Sequence, residues 1–305
     1  MENETLNPRR IGLFILIAFC IAWATAYVIY RDGGLQNGSQ LAPGLPLALV
    51  LLAGPYMFAP AIANVATRLL TREGFANLML WPRFAANWRY WLIGWFLPGL
   101  LTLAGAALYF VLVPGMFDPA LGVLRQQLQA NPGLSMGNLP VEAQALLGVI
   151  LGFLLAPLNL LNTWGEEFGW RAYLLPRLLP LGRRAALALM GLIWGVWHWP
   201  VIFMGYEYGT NYPGWPWVGP LLFVWVAFGL GTLLGWLALR SKSVWPAAMG
   251  HAAMNAIAAV ALMFLVPGAE PNPLVGPLPV GVLGGAAYSL VAVWLLFKGD
   301  WGGQA

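Results

Sequence analysis

Thr163-Trp164-Gly165-Glu166-Glu167-Phe168-Gly169-Trp170-Arg171 closes an apolar run that begins near Leu146, and that position decides the kind of chain this is. Of 11 acidic residues, Glu166 and Glu167 alone lie inside sequence that reads as membrane. Ionisable groups at that depth are costly and point to function. On a helix two consecutive side chains diverge by about 100°, so the two glutamates serve different faces. Arg171 follows Glu167 by four residues, the favourable order for an ion pair on one face. Glu166 turns toward the face of Asn162 and Asn159. The expectation is therefore a Glu167–Arg171 brace with Glu166 as the working carboxylate. The plainer reading is one buried salt bridge with a spare glutamate.

Composition agrees with a membrane setting. Hydrophobic residues make up 60% of the 305 and charged residues 9%, where soluble domains carry about 25% charge. Mean hydropathy is +0.72. The net charge of +4 is spread over loops and is no nucleic-acid signal. The single cysteine, Cys20, lies in the first apolar span and has no histidine near it in sequence, which excludes an intrachain disulfide and argues against a thiol enzyme.

Outward from the Glu-Glu stretch, the apolar pattern predicts an all-α polytopic membrane protein, one integral membrane domain over 1–305 with about eight transmembrane helices. The spans are about 11–30, 47–70, 90–113, 143–175, 185–204, 218–239, 244–266 and 280–297. The first, after Pro8-Arg9-Arg10, could be misread as a signal peptide cleaved after Ala24-Thr25-Ala26, but its apolar run continues to Ile29. A surface helix is expected around Arg125–Gln129, broken by Asn131-Pro132-Gly133. With both termini cytoplasmic, twelve basic residues fall inside and two, Arg31 and Arg125, outside. The expected location is the cell membrane.

Both histidines fall in apolar spans, His198 in Trp194-Gly195-Val196-Trp197-His198 and His251 in His251-Ala252-Ala253-Met254-Asn255. Asn255, four residues on, shares the His251 face. Either histidine alone reads as an interhelical hydrogen-bonding residue. Three spans supplying a carboxylate, two imidazoles and an amide instead suggest a site built in the bundle. One route makes Glu166, with His198, the general base for a water while His251 and Asn255 donate to an oxyanion. Another lets Glu166, His198 and His251 hold Zn²⁺ with an open position for water. Both hydrolyse a carbonyl, and the sequence leaves them open. Helix rise puts Glu166 about 15 Å, His198 about 21 Å and His251 about 10 Å from the cytoplasmic loops, a scatter that needs tilt or a helix that starts deeper.

Glu166-Glu167-x-x-x-Arg171, Trp194-x-x-x-His198 and His251-x-x-x-Asn255, in that order over about 146–265, resemble the motifs of the CPBP family. These are the CAAX prenyl endopeptidases of the Ras-converting-enzyme type and their bacterial Abi relatives. The resemblance implies an eight-helix intramembrane endopeptidase, metalloprotease or glutamate-dependent, with Glu166, His198, His251 and Asn255 catalytic and Glu167 and Arg171 supporting. Its substrate would be a membrane-associated or lipidated peptide, its surroundings membrane lipid, and nucleic acid no partner. Trp194 stands where the family often has Phe, a change that reads as conservative for packing. A transporter or proton relay, and a non-catalytic, immunity-type peptide-binding protein, are the rival classes.

Gly133-Leu134-Ser135-Met136-Gly137 matches a nucleophile elbow only in letters, because it sits in a Pro/Gly loop. No H-E-x-x-H occurs. Gly231-x-x-x-Gly235 reads as helix packing, Trp197 and Trp199 chiefly as packing, and Glu207 and Glu270 as solvated loop charges.

Overall fold

In a computed structural model, which describes residues 5–302, the chain is an all-α polytopic membrane protein. Helix α1 (Pro8–Arg31) starts on Pro8 with the Asn7 side chain accepting from the Arg10 N–H at 3.1 Å. A small hairpin, Gln40–Ala42 against Leu45–Pro46, precedes the second span. That span bends at Gly54-Pro55, where a wide turn over Leu52–Tyr56 leads into α2 (Met57–Leu70). Helix α3 (Phe84–Leu112) is followed by the expected surface helix α4 (Gly122–Ala130), which ends at Asn131. The Glu-bearing span runs as α5 (Val141–Leu155), a tight turn at Ala156–Asn159, α6 (Leu160–Gly169) and a π turn at Trp170–Leu174. Then come α7 (Arg183–Trp197), α8 (Val218–Ser241), α9 (Trp245–Ile257) and α10 (Ala286–Lys298).

Six helical segments among the described residues are long and apolar enough to cross a membrane. The other two expected spans are shorter than expected. The fifth stops as α7 at Trp197, because Pro200 brings no backbone N–H and the chain turns at His198 into a short helix, Trp199–Phe203. The eighth begins at Ala286 rather than near Val280, after the turns around Gly281, Gly284 and Gly285, and its 13 residues span about 20 Å against a hydrocarbon core of about 30 Å.

Helix α8 has two-thirds of its apolar window buried, the largest share of any span, and packs against α7, α9 and α10. The perimeter presents Leu100, Val111, Leu154, Leu158 and Leu290 outward, as a lipid solvent permits. Cys20 is exposed on α1. The buried interior holds Trp170, Trp197 and, unusually, the whole of Arg171.

Candidate active site

The two glycines that flank the glutamates set the depth of α6. A Cβ on Gly165 would lie 3.0 Å from the Met57 carbonyl, and one on Gly169 would collide with the Pro60 backbone. Only glycine lets α6 approach α2 this closely. Asn64 of α2 fixes the register by donating to the Phe168 carbonyl at 2.9 Å and accepting from Arg68 at 2.8 Å. This contact carries Glu166 and Glu167 into the interior, 3% and 0% exposed.

The glutamates part as the helix geometry requires. Glu167 Oε1 accepts from Arg171 Nη1 at 3.0 Å, so the expected ion pair is present. The same oxygen lies 3.0 Å from His251 Nδ1. Glu167 therefore ties its own helix to α9 as well as to Arg171. The guanidinium lies over the Trp194 ring at 4.1 Å. A Cβ on Gly231 would stand 3.1 Å from its Nη2, so the small residue in α8 leaves room for a buried cation. Gly235, one turn on, serves the packing role expected, close to Leu175 and Leu187.

Glu166 Oε2 accepts from the Trp194 indole N–H at 2.8 Å. His251 and Tyr56 lie within electrostatic reach of Glu166. Tyr56 itself donates to the Trp197 carbonyl at 2.8 Å, holding the end of α7. His198 sits at that end, with Nδ1 2.8 Å from the Trp194 carbonyl and its ring between Trp197 and Phe223 at 4.7 and 4.6 Å. Trp194 thus bonds the candidate base, anchors one histidine by its carbonyl, and meets the other edge-to-face at 5.5 Å. Reading Trp194 as a conservative stand-in for Phe missed this, since Phe has no N–H. The indole donor is the signal that could have found it.

A carbonyl and a carboxylate can only accept, so Nδ1 of each histidine carries the hydrogen. Nε2 of each ring then offers a lone pair when neutral and an N–H only when protonated. His198 is so disposed to accept a proton or a water hydrogen. His251 can serve an oxyanion through Nε2 only as an imidazolium, its Nδ1 already bonded to Glu167. Asn255 lies one turn beyond His251 on α9, exposed and without a hydrogen bond among the described residues. The donor types of Glu166, His198 and His251 would suit zinc. Among the described residues, however, no three His, Cys, Asp or Glu side chains gather into a set that could hold a metal ion. As placed, the trio does not fit the metal.

The expected solvated charge of Glu207 needs correcting. Glu207, in the loop after α7, is partly buried. Burial pushes its carboxyl up to about 7, with His251 pulling the other way. Its neighbour Tyr206 lies within reach of both Glu207 and Glu166. Nothing in the local sequence signals this burial. Among the described residues the Ser135 hydroxyl bonds only the Gly137 carbonyl, within its exposed loop.

Residues 142–257 match the family model described as type II CAAX prenyl endopeptidase Rce1-like. That interval runs from the start of α5 to the end of α9 and holds all three motifs. No curated protein matches the chain.

Proposed function

We propose the following mechanism for a chain that belongs, through residues 142–257, to the type II CAAX prenyl endopeptidase family of the Rce1-like kind, and so to the intramembrane proteases. Glu166 is the base. It takes a proton from a water while the oxygen adds to a peptide carbonyl, and later gives that proton to the departing amine. His198, through Nε2, orients the water. His251, as an imidazolium, and the Asn255 amide donate to the oxyanion. Glu167 and Arg171 hold His251 and the Trp194 ring in register. The substrate is a peptide presented at the membrane, lipidated ends included.

The observation that carries this reading is the state of Glu166: buried in an apolar span, one oxygen fixed by Trp194, and, among the described residues, paired with neither Arg171 nor any other cation by a direct contact. A purely structural glutamate would be expected to take the salt bridge that Glu167 takes. The test is cleavage of membrane-anchored reporter peptides by the purified, reconstituted protein. Glu166→Gln preserves shape and the Trp194 contact, and turnover falls by about 10²–10⁴-fold with folding intact. Full turnover by Glu166→Gln, or proton flux without any hydrolysis, would overturn the proposal.

A further inference from the structure

The Glu-bearing span is broken shortly before its glutamates. Pro157 carries no N–H for the Phe153 carbonyl, which accepts instead from the Trp95 indole of α3 at 2.6 Å. Irregular backbone at membrane depth persists only where protein or a cavity takes up its polar groups. Across this break the span runs antiparallel to α9. A Cβ on Gly152 would lie 2.7 Å from the Ile257 side chain, the turn at Ala156–Asn159 packs on α9, and Thr163 donates to the Ala248 carbonyl at 2.9 Å. Along that seam each side carries a polar face. Asn162 and Asn159, four and seven residues before Glu166, share its face, and Asn255 shares that of His251.

Both faces open in the same direction, toward the break. Glu166 and His251 are 3% and 5% exposed, whereas Asn162 and Asn159 are half-buried and Asn255 is exposed. Asn159 holds the N-cap position of α6 yet makes no capping bond with its side chain. Its Oδ1 instead accepts from Asn162 Nδ2 at 3.3 Å. Asn159 Nδ2 and Asn162 Oδ1 then have no hydrogen bond among the described residues. The pair presents one donor and one acceptor, the complement of the C=O and N–H that a residue of extended peptide carries. Open carboxamides in an apolar span are costly to keep. A peptide drawn into that span needs such groups, because its main-chain N–H and C=O must find partners there.

We propose that Asn159 and Asn162 form a subsite that hydrogen-bonds the main chain of an extended peptide substrate, at the second and third residues from the bond to be cut. The inference rests on the protease reading and adds to it how the substrate is held. Rise along the helix puts Asn162 about 6 Å and Asn159 about 10 Å from Glu166. An extended chain covers about 3.3 Å per residue, which gives the two positions. Main-chain bonds supply affinity without reading side chains, so this subsite selects an extended, unblocked backbone rather than a sequence.

The test uses the full chain in liposomes and membrane-anchored peptides N-methylated at one amide at a time, over three residues on each side of the cleaved bond. For the wild type, methylation at the second or third residue on one side should lower kcat/KM by about tenfold, chiefly through KM, the worth of one hydrogen bond whose partner is left open. Asn159→Ala/Asn162→Ala should raise KM for the parent peptide by a similar factor and bring the parent-to-methyl ratio near one. Both peptides are read on one preparation, so loss of folded protein cancels in that ratio. Should the double variant not fold, Asn162→Ala alone carries the same comparison. Binding of the same peptides to Glu166→Gln separates the two readings. Methyl-sensitive binding that the asparagines control, without cleavage by the wild type, sinks the protease reading and leaves the subsite standing. A methyl penalty unchanged in the asparagine variants, cleavage insensitive to methylation at these residues, or peptides neither cut nor bound selectively would overturn the subsite.

Discussion

Removing Arg171 separates what holds this fold from what drives its chemistry. The guanidinium is fully buried, bonds Glu167 at 3.0 Å and covers Trp194, yet among the described residues its Nε and Nη2 have no hydrogen-bond partner, and neither has Glu167 Oε2. Such a pair is incompletely satisfied. Breaking it strands a buried charge, which costs about 3–5 kcal/mol, while replacing both partners by apolar residues of similar volume is often neutral. Arg171→Met leaves Glu167 with His251 as its remaining contact, so a loss near the lower end, about 3 kcal/mol, is expected. The double variant Glu167→Leu/Arg171→Met should return to within about 1 kcal/mol of wild type.

Activity should not return with it. His251 Nδ1 loses its 3.0 Å partner when Glu167 is gone, and a ring free to rotate misplaces Nε2. A displacement of about 1 Å in a catalytic group can cost roughly a hundredfold in rate. Unfolding in detergent gives the stabilities, and peptide turnover at a temperature where all variants are folded gives the rates. A double variant as unstable as Arg171→Met refutes the stranded-charge argument. One that is stable and fully active refutes the orienting role of Glu167.

Two further outcomes follow from particular contacts. Trp194→Phe keeps a ring against Arg171 and His251 but removes the N–H bonded to Glu166, so kcat should fall by about tenfold with KM little changed, the loss of one hydrogen bond to a charged group; equal rates would show that the bond does not position the carboxylate. In the loop after α2, Glu73 is bonded by Arg177 and by the Tyr173 hydroxyl, and Arg10 lies 3.6 Å away. Burial raises its pKa, but the Arg177 bond and charge, with Arg68 and Tyr173, outweigh that and hold it below the ordinary 4.5. A depressed carboxyl contributes stability above its unfolded value that is lost as pH falls through the folded one. The protein should therefore lose stability below about pH 4.5, and Glu73→Gln should flatten that part of a thermal-unfolding profile.

The fold class was legible because lipid demands a hydrocarbon-length apolar run wherever the chain crosses, and such runs survive in any register. Helix ends were less legible. Pro200 in the fifth span and the glycines before Ala286 shorten helices whose apolar letters continue past the break. In the site, spacing along one helix read well, since i+4 geometry is local: Glu167 with Arg171 follows from the sequence alone. Contacts between helices did not. That Glu167 meets His251, that Trp194 donates to Glu166, and that Gly231 faces a guanidinium depend on how α6, α7, α8 and α9 cross. The depth scatter of about 10 Å inferred from helix rise alone does not keep the groups apart, because Trp194 touches His198, His251 and Glu166 together.

The charge balance of this interior explains why two adjacent glutamates serve it better than one. Glu167 and Arg171 cancel each other, and the cancelled pair leaves Glu166 as the surplus negative charge of α6, in a region where a lone carboxylate is strongly disfavoured. His251 stands within reach of it, but its Nδ1 is committed to Glu167. The imidazole can thus offset Glu166 by carrying a proton without leaving its position. Transfer of a water proton to Glu166 discharges the same surplus as an oxyanion forms on the substrate, so negative charge moves from the carboxylate toward the imidazolium rather than being created.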